Sequence, residues 1–141
     1  MRAYFDTSAL VPLLIQEPST ERCRAVWSDS ELVVTGAIAY VEVHAALAQA
    51  ARLGRLTARA HRRALDVFST AWEDIARIDV SPAVIDAAAT LTATHSLRGY
   101  DAVHCATAIA AASDDFVAVS GDRGLLRAWS ALGLATVDTA G

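Results

Sequence analysis

Short runs of β-branched and aromatic residues alternate along the chain with longer, alanine-rich segments whose apolar positions recur every three or four residues. The short runs predict β-strands and the longer segments predict α-helices, because side chains alternate along a strand and repeat about every 3.6 residues along a helix. The predicted strands are residues 2–6, 31–36, 76–80, 115–121 and 134–138. The predicted helices are residues 9–16, 20–29, 37–53, 57–74, 82–96, 101–113 and 123–132.

This alternation predicts the fold class. Strands that are separated by helices pair in parallel, and their right-handed crossovers place helices on both faces of the sheet. We therefore expect an α/β protein, a three-layer α/β/α sandwich with a central, mostly parallel sheet of four to five strands. The 141 residues contain no linker, internal repeat or low-complexity tract, so we expect a single domain over residues 1–141.

Composition limits the classes of partner. The net charge is −4 and all twelve basic residues are arginine, so no overall positive charge attracts nucleic acid or an acidic membrane. Cys23 and Cys105 are isolated in apolar segments, which predicts buried, reduced thiols. The apolar run near the start is too short for a signal peptide or a membrane span. We expect a cytoplasmic protein that does not associate with membranes.

Two acidic residues directly follow predicted strands. Asp6 ends the first strand in YFDTSAL, and Asp122 follows the fourth in VAVSGDRG. Ligands of parallel sheets bind beyond the carboxyl ends of the strands, so both acids are candidate site residues. Each has a structural alternative, since Asp6 could cap the next helix and Asp122 could form a turn before Gly124.

Glu42 lies on the apolar stripe of its predicted helix, AIAYVEVHAALAQAA. A carboxylate in such a place is costly unless it is paired or bound to a cation. We place Glu42 about two turns beyond a helix start near Thr35, outside the reach of the helix dipole. A salt bridge to an arginine is the structural alternative.

The segment LRGYDAVHCATA places Asp101 and His104 on one face of a helix whose other residues are mostly small and apolar. A helix N-cap would explain Asp101 but not the pair. We expect His104 to support the site by hydrogen bonding rather than to bind a ligand itself.

These acids could meet in one crevice of an α/β sandwich. Clustered carboxylates raise each other's pKa unless a cation is present. Mg²⁺ and Mn²⁺ are held by a few carboxylates, water and phosphate oxygens, an arrangement that activates water for phosphodiester hydrolysis. The neighbouring hydroxyl residues, which could orient a carboxylate or contact phosphate, are Thr7, Ser8 and Ser120.

Four motifs together resemble the PIN-domain ribonucleases, and among them the VapC-type toxins of bacterial toxin–antitoxin pairs. These motifs are YFDTSAL, AYVEVHAAL, LRGYDAVHCATA and AVSGDRGL. The last motif departs from the commoner Thr-x-Asp pattern, because Ser120 stands in place of the threonine. The resemblance implies that Asp6, Glu42 and Asp101 coordinate metal, that Asp122 assists, and that Ser8, His104 and Ser120 support the site.

The resemblance also implies a function. Members of this family cleave single-stranded or looped RNA, often transfer or ribosomal RNA, with Mg²⁺ or Mn²⁺. They usually form homodimers and are silenced by a small antitoxin. We therefore expect an endoribonuclease toxin, and two alternatives stay open: an RNA-maturation nuclease outside any toxin pair, and a non-catalytic PIN-like module that binds RNA or protein.

Several arginines are candidates for contact with RNA or antitoxin. The segment RLGRLTARAHRR (52–63) holds five arginines and no acid, and arginine binds phosphate well. A solvated helical surface is the alternative for that segment. Arg98 and Arg123 lie closer in sequence to the acids, and we expect them to contact the substrate or the antitoxin.

Other classes with a similar sheet are excluded by what they require. A response-regulator receiver needs a lysine, and this chain has none. A dehalogenase-like phosphatase needs a second aspartate two residues after the first, where this chain has Ser8. The glycine-rich phosphate-binding motifs of nucleotide-binding folds are absent.

Overall fold

The computed structural model describes residues 1–141 and contains one five-stranded sheet in the order β3-β2-β1-β4-β5. Every neighbouring pair of strands is parallel. The strands are β1 (Arg2–Phe5), β2 (Leu32–Gly36), β3 (Ala76–Ile78), β4 (Phe116–Ser120) and β5 (Ala135–Asp138). The predicted α/β class is confirmed, and the sheet is wholly rather than mostly parallel.

Seven α-helices connect and flank the strands. They are α1 (Thr7–Leu10), α2 (Thr20–Asp29), α3 (Ala39–Arg52), α4 (Ala58–Asp74), α5 (Pro82–Thr94), α6 (Gly99–Ala111) and α7 (Arg123–Ala131). Local sequence sets several of the starts. The side chain of Thr57 accepts the N–H of Ala60 at the start of α4, and Ser81 accepts the N–H of Val84 at the start of α5.

Two hydrophobic cores, one on each face of the sheet, produce the three layers. Ala3 and Phe5 face helices α1 to α4 and pack into a core that includes Leu47 and Phe68. Tyr4 points to the opposite face, where it packs with α5 to α7 and Trp129. This division follows from the alternation of side chains along β1. Both faces of the sheet are covered, which is the usual arrangement for parallel strands.

The helix predicted over residues 9–16 is wrong in its start and its form. The α-helix spans only Thr7–Leu10, and a 3₁₀ turn follows at Val11–Leu13. Asp6 starts the helix two residues early by capping it. Pro12 has no N–H to continue the α-helical hydrogen bonds, so the chain tightens and then leaves the helix.

Two other helix starts differ from the prediction and change the account of a candidate acid. Residue 37 lies in a turn, because its N–H donates to the carbonyl of Ile78 at 2.8 Å. Helix α3 therefore starts at Ala39, and Glu42 lies in its first turn, not two turns along as predicted. Helix α6 starts earlier than predicted, with Arg98 as its N-cap residue. Asp101 thus lies inside the first turn and is not the N-cap.

Two smaller expectations can be compared with the structure. Cys23 and Cys105 are both free and buried, as predicted. None of the helices combines the length and the apolar character that crossing a membrane requires.

Candidate active site

The candidate site lies where the chain changes direction across the sheet. From β1 the chain continues to β2 on one side and reaches β4, the other neighbour of β1, only much later. Asp6 directly follows β1, and Asp122 lies two residues beyond the end of β4. The N–H of Asp6 donates to the carbonyl of Val119 at 3.2 Å, so the two strand ends stay together. Ligands of open parallel sheets bind at such a switch point.

A cavity of about 400 Å³ opens at this point. All four predicted acids line it: Asp6, Glu42, Asp101 and Asp122. The other predicted residues that line it are Thr7, Ser8, Arg98 and His104. The acids come from the ends of two strands and the first turns of two helices. The structure thus brings together residues that are up to 116 positions apart in sequence, from Asp6 to Asp122.

Asp6 is buried and every carboxylate oxygen has a donor. Its Oδ1 accepts the hydroxyl of Ser8 at 2.8 Å and the N–H of Ala9 at 3.2 Å, and its Oδ2 accepts the hydroxyl of Ser120 at 2.9 Å. Burial raises the pKa of Asp6 to about 6, although these hydrogen bonds, and a positive charge on His104 whenever its ring is protonated, act in the opposite direction. The helix-capping alternative for Asp6 is therefore correct, and the capping carboxylate also faces the cavity.

Ser8 and Ser120 connect Asp6 to the loop that carries Asp122. Their hydroxyl oxygens lie 3.2 Å apart. The N–H of Gly121 donates to Ser8 at 2.8 Å, and the N–H of Asp122 donates to Ser120 at 2.9 Å. A Cβ atom on Gly121 would lie 3.1 Å from the hydroxyl of Thr139. The close approach of these segments therefore favours glycine at residue 121.

Glu42 is held by a series of side-chain hydrogen bonds that reaches into the core. Its Oε1 lies 2.7 Å from Nε2 of His104 and accepts the hydroxyl of Thr7 at 2.9 Å. Nδ1 of His104 lies 2.6 Å from the hydroxyl of Tyr4. The expectation that His104 supports the site by hydrogen bonding agrees with these contacts, whereas the predicted alternative of an arginine salt bridge to Glu42 is wrong.

The positions of the protons in this series of hydrogen bonds follow from the chemistry of its side chains. Burial and the nearby charge of Asp6 raise the pKa of Tyr4 well above its ordinary value, so the phenol keeps its proton. With a neutral imidazole, the Tyr4 hydroxyl donates to Nδ1, and Nε2–H donates to Glu42. Tyr4 thereby fixes the ring tautomer of His104 and the direction of its N–H.

Arg98 lies between the two remaining acids. Its Nε donates to Oδ2 of Asp101 at 3.2 Å, and its Nη2 lies 4.0 Å from Oδ2 of Asp122. The other oxygen of Asp122 accepts the N–H of Leu125 at 2.8 Å and caps α7. The Arg98 side chain is 85% exposed, so its guanidinium is accessible from solvent while it offsets acidic charge at the cavity.

Other predicted residues lie elsewhere. Arg123 is exposed at the start of α7 and does not line the cavity. The five arginines of residues 52–63 are exposed as well, and Arg55 pairs with Glu17 at 3.4 Å.

Sequence reasoning missed Tyr4 and Glu17. Glu17 is a fifth acid that lines the cavity from the loop before α2. The alternation along β1 places Tyr4 in the layer that contains α6, but nothing in the sequence shows that its hydroxyl meets His104. Glu17 lies in the loop segment QEPST, where neither periodicity nor a motif predicts a position.

The side chains around the cavity suit a hard divalent ion by their chemistry. Carboxylate oxygens are the donors that Mg²⁺ and Mn²⁺ prefer. In the arrangement described, however, no three His, Cys, Asp or Glu side chains form a group that could hold a metal ion. Each carboxylate is instead occupied by a partner within the chain. The only side-chain partner of Asp101 is the exposed Arg98, so this pair can separate at little cost.

The fold and the site together define an α/β protein with an acidic cavity at the switch point of an all-parallel sheet. A family model described as the PIN domain matches residues 3–128. The chain therefore belongs to the PIN domain family, and the resemblance inferred from its motifs is confirmed.

Two proteins of Mycobacterium tuberculosis are similar to this chain. They are Ribonuclease VapC45 of strain CDC 1551 / Oshkosh and Ribonuclease VapC49 of strain ATCC 25618 / H37Rv. Each is 36% identical over 122 residues, which cover 86% of this chain and 85% of the relative. A solved toxin-antitoxin complex from Klebsiella pneumoniae contains a chain with a TM-score of 0.67 and 17% identity, covering 97% of both chains. The likeness to this structure shows that the fold is shared.

Proposed function

We propose that the protein is a metal-dependent endoribonuclease and the toxin of a toxin–antitoxin pair. The observation that carries the proposal is that Asp6, Glu42, Asp101 and Asp122 line one cavity at the switch point. The similarity to two proteins named Ribonuclease VapC supports the reaction class. The substrate is RNA in single-stranded or structured form, such as transfer or ribosomal RNA, and the protein acts in the cytoplasm.

In this proposal Asp6, Glu42 and Asp101 hold Mg²⁺ or Mn²⁺, and Asp122 assists. When bound, such an ion supplies an activated water and offsets charge on the phosphate. Ser8 and Ser120 hold the Asp6 carboxylate, while Thr7 and His104 hold that of Glu42. These contacts fix two carboxylates before substrate arrives, which reduces the reorganisation that the reaction requires.

Arg98 and Arg123 bind the RNA or the antitoxin in this proposal. Arg98 is better placed, because its exposed guanidinium already lies beside Asp101 at the cavity. A guanidinium forms paired hydrogen bonds with phosphate. Arg123 would act only on a substrate that extends beyond the cavity.

The reaction is tested by incubating the purified protein with total RNA in Mg²⁺, in Mn²⁺ or in excess EDTA, and by sequencing the new ends. We expect cleavage with either ion, none in EDTA, and 5′-phosphate and 3′-hydroxyl products, because activated water attacks phosphorus without the 2′-hydroxyl. Cleavage in EDTA would refute the role of the metal, and cyclic phosphates would refute the hydrolytic mechanism. An absence of cleavage under all conditions would favour a non-catalytic binding module.

A cognate antitoxin and a homodimer complete the proposal. An apolar cleft of about 310 Å³ is the site that we propose for the antitoxin. It lies between the segment that follows Asp6 and helices α2 and α4. Its lining includes Leu10, Leu14, Trp27 and half-exposed Val67. Co-purification with the product of a short neighbouring gene, and toxicity only without it, would separate a toxin from an RNA-maturation nuclease.

A further inference from the structure

Tyr100 differs from the other two tyrosines in having no partner within the chain. The ring of Tyr4 packs against His104 and Trp129, each with ring centroids 5.9 Å apart. Tyr40 packs against Phe68 and Trp72. Tyr100, in the first turn of α6, is 69% exposed, with neither an aromatic neighbour nor a hydrogen bond to its hydroxyl. Its ring is therefore available to a ligand.

Tyr100 lines a second cavity, of about 650 Å³, beside the acidic one. Glu42, Arg98 and Asp101 line both cavities, so the two are continuous. A Cβ atom on Gly99, which lines the same cavity, would meet no atom within 4 Å, so the space beside Gly99 is open. A polymer whose phosphate lies at the acids can therefore extend a neighbouring group into this cavity.

We propose that the second cavity binds the nucleobase next to the cleaved phosphate of a single-stranded RNA, and that this base stacks on the ring of Tyr100. The inference rests on the proposed function and names the part of the substrate that this side of the site receives. Aromatic rings bind bases of single strands by stacking, with little dependence on sequence. A base is uncharged, so Glu42 and Asp101 do not repel it, while the Arg98 guanidinium is placed for the adjoining phosphate.

The chemistry of the lining favours RNA over a second protein surface. Three of the six lining residues are charged: Glu42, Arg98 and Asp101. A protein that covered this cavity would remove their hydration, which is costly without matched partners. A nucleotide leaves space for water around them and brings a phosphate to the arginine.

The test measures binding apart from cleavage. In an Asp6→Asn background with Mg²⁺, the affinity for a fluorescein-labelled, unstructured decaribonucleotide of mixed sequence is measured by fluorescence anisotropy. We expect Tyr100→Ala to weaken binding by about 5- to 150-fold, the range for loss of one stacked base. Tyr100→Trp should stay within about threefold of the parent, since it keeps a ring for stacking. Leu132→Ala removes an exposed apolar side chain at the opposite end of α7 from Asp122 and should leave the affinity unchanged.

An abasic scan of the same oligonucleotide identifies the base. Removing one particular base should weaken binding to the Tyr100 protein by about the same factor as Tyr100→Ala, and should have little further effect in the Tyr100→Ala protein. Such coupling is the signature of two groups in contact. It would support the base site even if the wild-type protein failed to cleave RNA, an outcome that would refute only the proposed function.

Three results would overturn the inference. The first is an affinity of Tyr100→Ala equal to that of Leu132→Ala in a protein whose wild type cleaves RNA. The second is a scan in which no base is coupled to Tyr100. The third is a loss of dimer from Tyr100→Ala with unchanged RNA affinity, since this would assign the ring to a contact between two copies of the chain.

Discussion

Substituting Tyr4 by phenylalanine removes one hydroxyl from the series of hydrogen bonds that runs from Tyr4 through His104 to Glu42. The ring of Phe keeps the edge contacts with His104 and Trp129, whereas the hydroxyl that lies 2.6 Å from Nδ1 of His104 is lost. His104 is buried, and no buried side-chain nitrogen or oxygen in the chain now lacks a partner. The substitution would create one.

The expected cost follows from that missing donor. A buried polar atom left without its hydrogen bond costs about 1–3 kcal/mol, a large share of the roughly 5–15 kcal/mol that stabilise a typical domain. For a chain of this size the melting temperature should fall by about 3–10 °C. Unfolding by heat and by urea, in chelator, measures both quantities.

Tyr100→Phe is the matched control, because it removes the same hydroxyl from an exposed ring that makes no hydrogen bond. It should change the free energy of unfolding by less than about 0.5 kcal/mol. Nitrogen NMR of the His104 ring gives a second measure, since the wild-type protein should carry its proton on Nε2 and the variant should show a mixture of tautomers.

Two results would refute this reasoning. If Tyr4→Phe unfolded as wild type does, the Tyr4 hydroxyl would not be the partner that His104 depends on. If the variant lost stability but cleaved RNA at the wild-type rate, the hydrogen bonds that link Tyr4, His104 and Glu42 would support the fold without orienting the Glu42 carboxylate.

Three further predictions concern Asp6, Asp101 and the apolar cleft. Burial raises the pKa of Asp6 from 3.8 to about 6, so as pH rises the unfolded chain releases this proton at a lower pH than the folded protein does. The free energy of unfolding should therefore fall between about pH 4 and pH 6, by an amount on the order of 3 kcal/mol. Asp6→Asn should abolish cleavage and flatten this slope in urea unfolding at pH 4 and pH 8 without metal; an unchanged slope would contradict the assignment. Asp101→Asn should abolish cleavage yet unfold no more easily than wild type in chelator, since Asp101 caps no helix and its side-chain partner is the exposed Arg98. Added Mg²⁺ should raise the melting temperature of wild type more than that of the variant. Val67→Asp should weaken antitoxin binding in a pull-down while RNA cleavage persists, because it places a charge in an apolar cleft; equal loss of both activities would place the cleft within the catalytic machinery.

The parts of the site that sequence predicts are those governed by a local rule. Asp6 and Asp122 follow strands, and parallel strands present their carboxyl ends at one edge, so their proximity needs no further knowledge. The sequence pattern predicts the start of α3 too early because the N–H of residue 37 is held by Ile78, a contact between distant segments. No periodicity within the helix contains that information.

The partner of Glu42 shows where the prediction ends. Glu42 is on α3 in one helical layer and His104 is on α6 in the other, and they meet beyond the ends of the strands. Each residue is unusual in the sequence of its own helix. Their contact depends on the strand order and on the length of β2, which sequence patterns do not specify to within a hydrogen-bond distance.

The contact between Glu42 and His104 also makes the site a junction between two otherwise separate cores. The sheet divides the hydrophobic interior in two, and this hydrogen bond, with Tyr4 behind it, joins a helix from each side. A local opening that detached either α3 or α6 would break the site before the whole chain unfolded. A ligand that bridged Glu42 and Asp101 would oppose both openings at once, and amide hydrogen exchange should then slow in α3 and α6 together, on opposite faces of the sheet.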